Sequence, residues 1–197
     1  MTQTKQRLTA EARRAAVLET ACRVFSRSSY RGATTAEIAR EAGISEPILY
    51  RHFGSKRDLY LACLEEAWQT FREEASEAIA DDPVGCLGVI SDRYMAKGTR
   101  FRVVDLWIQA LTEASDDPVI AKALRLQIRD MHDFIARVIR DGQERGVVNA
   151  DRDPEAEAWI FVGGGLLATM DSRLGDLLGD DLERVRTERR RWMLATP

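Results

Sequence analysis

The 197-residue sequence predicts an all-α chain of about nine helices. Three observations carry that reading. No segment sustains the apolar–polar alternation with β-branched enrichment that a strand needs. Apolar residues recur at three- and four-residue spacing along most of the chain. Helix starts and stops are marked by capping residues, Asp-Pro pairs and glycines. The first long helix runs from about Thr9 to Arg27, with Ala16, Val17, Ala21, Val24 and Phe25 on its apolar side. A second, short helix starts after Thr34, which forms a capping box with Glu37: the hydroxyl takes a free first-turn N–H and the carboxylate bonds back. Ile38, Ala39 and Ala42 are its apolar face, and Gly43 supplies a turn that suits a residue without a Cβ. A third helix opens at Ser45, a capping residue, with Pro47 in the first turn, where a missing N–H costs nothing. Leu49 and Phe53 lie four apart and face the same way.

The fourth helix starts at a second capping box, Ser55 and Asp58, and runs to about Ile79. Three Asp-Pro pairs follow, Asp82-Pro83, Asp117-Pro118 and Asp153-Pro154. The residue before proline is pushed out of the helical region, Asp caps well, and Pro suits a first turn, so each pair marks a helix start. The expected segments are Pro83 to Gly98, Arg100 to Ser115, Pro118 to Arg145 with Gly146 ending it, Pro154 to Leu174, and Asp181 to Met193. The segment from Pro118 carries Ile120, Leu124, Ile128, Met131, Ile135 and Val138 at helical spacing.

Composition narrows the function. With 45% hydrophobic and 31% charged residues, the chain can bury a sizeable core. No stretch approaches the ~20 apolar residues of a bilayer span, and no signal peptide opens the sequence, so a cytoplasmic protein is expected. Cys22, Cys63 and Cys86 lack CxxC spacing and read as small buried thiols. The net charge of −3 is unevenly divided: residues 1–60 hold 11 Lys+Arg against 6 Asp+Glu, whereas residues 61–197 hold 18 against 26. The basic end is also the end with two short helices around a glycine turn. That is a helix-turn-helix, and its second helix has the form of one that enters a DNA major groove.

Between Thr9 and Leu64 the sequence resembles the TetR family of bacterial transcriptional regulators. The resemblance rests on the apolar first helix, Tyr30 four before Thr34, Ile38-Ala39, Ala42-Gly43, Leu49-Tyr50-x-His52-Phe53 and Ser55-Lys56-x-x-Leu59. Two departures stand out. Ser28-Ser29 replaces a common helix-ending glycine, and Glu46 places a negative charge on the DNA-facing side. The resemblance implies a three-helix DNA-binding domain, residues 1–54, and a helical ligand-binding and dimerisation domain, residues 55–197. It implies a ligand-responsive repressor, active as a homodimer on double-stranded DNA, needing no cofactor and no metal.

On this reading Tyr50 meets backbone and base edges and His52 a phosphate, as the family's residues do. One hydroxyl of Thr34 or Thr35 reaches a phosphate. Lys56, a cation in a helix's first turn, opposes the helix dipole unless a phosphate meets it. Base reading falls to Ser45, Glu46, Pro47, Ile48 and Arg51, with Ala36 nearby: Arg51 suits a guanine edge or equally a phosphate, Glu46 cytosine N4, and Ile48 a thymine methyl.

Ala158 to Met170, AWIFVGGGLLATM, is apolar on all sides and must be buried all round. One face suits a partner subunit, so Trp159, Gly163, Gly164 and Leu167, with Leu182 and Trp192 of the last helix, are expected at the dimer interface. The resemblance puts an effector pocket among the helices between Ser55 and Leu174. Its expected lining includes Trp68, Phe71, Tyr94, Met95 and Trp107. Leu111, Met131, Phe134, Phe161 and Met170 complete it. Many rings and few ionisable groups favour an apolar or aromatic small molecule. The alternatives are an effector-independent DNA-binding dimer and, remotely, an enzyme. For the latter His132 and Asp133 would have to act together, yet adjacent helical residues point about 100° apart.

Overall fold

A computed structural model describes residues 9–81 and 103–194. Among them are eight helices: α1 (Ala10–Arg27), α2 (Thr35–Glu41), α3 (Glu46–His52), α4 (Lys56–Asp81), α5 (Val103–Glu113), α6 (Pro118–Glu144), α7 (Pro154–Leu174) and α8 (Asp181–Met193). The helix expected over 83–98 lies outside the described residues. A β-bridge, Val148 with Leu194, ties the α6–α7 loop to the end of α8. No described helix is long and apolar enough to cross a membrane.

The helix starts follow the capping chemistry. Thr9 accepts from the Ala12 N–H, Asp117 from Val119 and Ile120, and Asp153 from Glu155 and Ala156. Each bond satisfies an N–H that has no partner within its own helix. Gly43, Gly146 and Gly175 all stand at positive φ just past helix ends, where a Cβ would be strained. Two caps depart from expectation. Ser45 takes the extended cap conformation, but its side chain makes no capping bond. Thr34 does accept from the Glu37 N–H, at 3.1 Å, but the Glu37 carboxylate engages Arg27 of α1 at 2.8 Å. A guanidinium offers a charge-assisted bond, stronger than the neutral one an N–H supplies.

One buried cluster runs from α1 to α8. Val17, Ala21, Val24 and Phe25 receive Ile38 and Ala39 of α2, and Leu49 and Phe53 of α3. Ala16 stays exposed. Leu59, Tyr60, Cys63 and Leu64 continue the cluster onto α4, which carries it to Trp68 and Phe71. Cys22 and Cys63 are free, fully buried thiols. The three N-terminal helices are therefore seated mainly on the start of α4.

Four links join that N-terminal unit and the start of α4 to α5 and α6. The Tyr60 hydroxyl donates to the Leu106 carbonyl at 2.8 Å; burial holds its phenol far above the ordinary range, so it stays a neutral donor. Arg31, in the α1–α2 loop, meets Glu113 at 3.1 Å and also Asp116. Arg57 meets Asp117, the cap of α6, at 3.2 Å. Asp117 thus serves a helix start and an ion pair together. Burial opposes its charge, but the N–H groups of Val119 and Ile120 and the Arg57 guanidinium outweigh it and hold the carboxyl below its usual range.

Candidate nucleic-acid interface

The helix-turn-helix is built around two buried residues of α3 and its end. Leu49 and Phe53 turn inward, and Arg14 of α1 lies over the Phe53 ring at 4.8 Å. Ile38 and Ala39 seat α2 against α1, and Arg27 clamps the two helices through Glu37 and Glu41. The guanidinium holds the Glu41 carboxyl below its usual range by hydrogen bonding. Gly43 then lets the Ile44 N–H close onto the Ala39 carbonyl at 3.0 Å, which sets the angle between α2 and α3.

With Leu49 and Phe53 committed to the core, the rest of α3 faces out. Tyr50 is 44% exposed, Pro47 and Arg51 are exposed or nearly so, and Glu46, Ile48 and His52 flank them on the same surface. Ser45 and Ala36 lie beside them at the surface. Arg51 has no ion-pair partner among the described residues, which leaves its guanidinium available. Lys56 is half-buried in the first turn of α4, its ammonium 4.8 Å above the Tyr30 ring and 3.5 Å from the Arg31 carbonyl. Desolvation pushes its pKa down, with Glu113 opposing.

The two threonines differ in a way their shared type conceals. Thr34 is exposed; its oxygen is used by the cap, and its proton remains to give. Thr35 is only 8% exposed, donates to Glu46 and lies 3.1 Å from the Tyr50 hydroxyl. Of the pair, Thr34 is the one placed to reach a phosphate. Arg40 was not singled out from the sequence. It is exposed on the same side of α2 as Ala36, four residues on, and has no ion-pair partner among the described residues. That spacing was the available signal.

The expected pocket residues divide. Trp68, Phe71, Trp107 and Met131 are buried, and Phe134 and Phe161 pack against them. Trp68 is the hub, 5.5 Å from the Phe71 ring centroid, 6.4 Å from Trp107 and 6.2 Å from Phe134. The Trp107 indole N–H is buried with no hydrogen-bond partner among the described residues. Leu111 and Met170 are at the surface, 46% and 50% exposed, so they do not line a buried site in the single chain. Helical spacing placed them on apolar faces but not on the inner one. Tyr94 and Met95 lie outside the described residues.

On α7, Trp159, Gly163, Gly164, Leu166, Met170 and Leu174 are exposed, with Leu167 half-buried. On α8, Val185 and Trp192 are exposed and Leu182 is half-buried. A Cβ added to Gly163 or Gly164 would meet nothing within 4 Å. The two glycines therefore make room for nothing among the described residues of their own chain.

His132 and Asp133 do meet, contrary to the expectation from their adjacency. The Asp133 carboxylate reaches the ring Nδ1 at 2.9 Å, and this bond holds its carboxyl below the usual range. Nε2 faces the Glu155 carbonyl at 3.0 Å. His132, Asp133 and Glu155 each bring a ligand atom within 4.8 Å of the others. The two carboxylates approach different ring nitrogens, so one ion cannot take all three, and Arg140 already pairs with Glu155. The arrangement fastens α6 to the start of α7.

Residues 17–63 match the model described as bacterial regulatory proteins, tetR family, and residues 90–163 match the BetI-type transcriptional repressor C-terminal model. The chain is 27% identical over 179 residues to the HTH-type transcriptional regulator UidR of Escherichia coli, covering 89% of this chain and 86% of that one. It is 28% identical over 185 residues to the HTH-type transcriptional regulator TtgR of Pseudomonas putida, covering 87% of each. A solved Saccharomonospora viridis protein, described as a transcriptional regulator in complex with choline, superposes with a TM-score of 0.75 at 24% identity, over 95% of this chain and 100% of that one.

Proposed function

Because the chain belongs to the TetR family of bacterial transcriptional regulators, and is a DNA-binding regulator rather than an enzyme, we propose that it acts as a ligand-released repressor on a palindromic operator. The observation that carries this is the outward face of α3, with Tyr50 and Arg51 exposed and Leu49 and Phe53 buried behind them. Residues 1–54 form the DNA module and residues 55–197 the ligand-binding and dimerisation part, in the cytoplasm. Tyr50, Arg51 and Ile48 enter the groove, while Thr34, Arg40, His52 and Lys56 meet phosphates. Tyr50→Ala and Lys56→Ala are each expected to weaken operator binding about tenfold, consistent with 1–3 kcal/mol per specific contact. Gel-shift titration beside a thermal melt tests this: unchanged affinity in both variants would refute the placement.

The chain works as a homodimer, because two modules ~34 Å apart can read a palindrome that one module binds weakly. The exposed apolar faces of α7 and α8 support this interface. Gly163 and Gly164 cost roughly 1 kcal/mol each in helix propensity. Their open surroundings fit a partner helix approaching there closely.

The effector is an apolar or aromatic small molecule held near Trp68, Trp107 and Met131. The Trp107 N–H, buried with no acceptor among the described residues, supports this, because buried donors are rarely left without one. Close ring contacts at Trp68 favour the second reading, a dimer that needs no effector. Quaternary ammonium compounds such as choline belong in the screen, since aromatic faces attract cations. Displacement at α5 or α6 would reach the DNA module through Tyr60, Arg31 and Arg57. Any compound that raises the melting point should bind about 5- to 150-fold more weakly when operator is present. Isothermal titration with and without operator measures that difference, and equal affinities would exclude release by ligand.

A further inference from the structure

Three side chains at the groove-facing side of the helix-turn-helix form one hydrogen-bonded chain. Thr35 donates to Glu46, and the Tyr50 hydroxyl lies 3.1 Å from the Thr35 oxygen. Thr35 has one hydroxyl proton, and an ionised carboxylate can only accept. The Thr35 proton is therefore committed to Glu46, and Tyr50 must be the donor to Thr35. The phenol proton points inward. The Tyr50 oxygen is left toward solvent with lone pairs and nothing to give. The second oxygen of Glu46 is likewise an acceptor.

We propose that the Glu46–Thr35–Tyr50 chain makes Tyr50 an acceptor-only reader, which selects adenine or cytosine over guanine or thymine on the contacted strand. This rests on the reading that α3 enters the major groove. Adenine N6 and cytosine N4 are the amino donors displayed there, whereas guanine O6 and N7 and thymine O4 are acceptors. An oxygen without a proton faces lone pairs in the second case and a hydrogen in the first. The same logic holds Tyr50 off the phosphates, which accept only, and leaves them to Thr34, Arg40, His52 and Lys56. Glu46 is then a positioning residue: its charge, unusual on a DNA-facing surface, fixes the direction of the chain of bonds.

The test is selection from a randomised duplex pool, followed by affinity measurements on single-base variants of the enriched site. The wild-type chain is expected to enrich a palindrome with one half-site position at which adenine or cytosine is favoured about 5- to 100-fold. Thr35→Val severs the chain and should flatten that preference to about twofold or less. Tyr50→Phe, at an exposed position that does not support the core, should do the same. Glu46→Gln offers Thr35 a donor as well as an acceptor, so the direction is no longer fixed and the preference should weaken, while Glu46→Ala should lose it. Lys56→Ala should lower affinity on every sequence and leave the base profile in place. A Tyr50→Phe base profile identical to wild type would overturn the proposal. Failure of the wild-type chain to enrich any palindrome would instead remove the operator reading itself, and this proposal with it.

Discussion

Leu166→Glu combined with Met170→Glu is expected to leave the chain folded and monomeric, and to lower operator affinity about a thousandfold. Both side chains are exposed on α7, so acidic replacements there disturb no packing within the chain. In the dimer each would bring a carboxylate, and by twofold symmetry its mate, into an apolar contact, where an unpaired charge costs several kcal/mol. Loss of the second module removes half of the contacts and the register between half-sites. What remains is comparable to non-specific binding, which is weaker than specific binding by roughly 10³-fold or more. Light scattering reports the mass and circular dichroism the fold. A variant that remained dimeric would show that α7 does not carry the interface.

Trp68→Ala is expected to cost about 3–5 kcal/mol of stability, the range for removing a large buried aromatic side chain. Trp68 is 1% exposed and touches the rings of Phe71, Trp107 and Phe134, so the space it leaves is walled by rigid groups that collapse poorly. Its indole N–H also donates to Asp130 of α6 at 2.6 Å, joining α4 to α6. Against the 5–15 kcal/mol of a typical domain the loss is large, with a melting point lower by roughly 6–20 °C. Trp68→Phe keeps one ring but loses the donor and part of the buried volume, and should cost about 1–3 kcal/mol. Urea titration of the three chains separates packing from hydrogen bonding. Equal losses in both variants would mean that the bond to Asp130, and not the ring, matters most.

Much of the DNA module was legible in the residues because its signals are local. A cap acts within four residues and a positive-φ glycine within one, so Thr9, Asp117, Asp153, Gly43 and Gly146 all sit where they were read. The limits of local reading show where a distant group competes. Glu37 gave up its return bond for Arg27 of α1. Asp133 bent over the helix surface to His132, a contact that helical geometry alone argued against. Gly142 carried no signal inside the last turn of α6, yet a Cβ there would come within 2.6 Å of Val148. Its absence lets the α6–α7 loop lie on the helix.

Which apolar residues turn inward was read less well, since an apolar periodicity says that a face is covered and not by what. Leu111 and Met170 share the chemistry of Trp68 and Met131 but stand at the surface. By itself the sequence determined the all-helical chain, the order of its helices and which residues of α3 must turn outward, because spacing and capping act along the chain. Only the tertiary structure decided that Thr35 links Glu46 to Tyr50, that Arg31 and Arg57 fasten the DNA module to α5 and α6, and that the glycines of α7 open onto solvent. Those facts depend on which surfaces meet across long stretches of chain, and meeting is set by packing that no local pattern encodes.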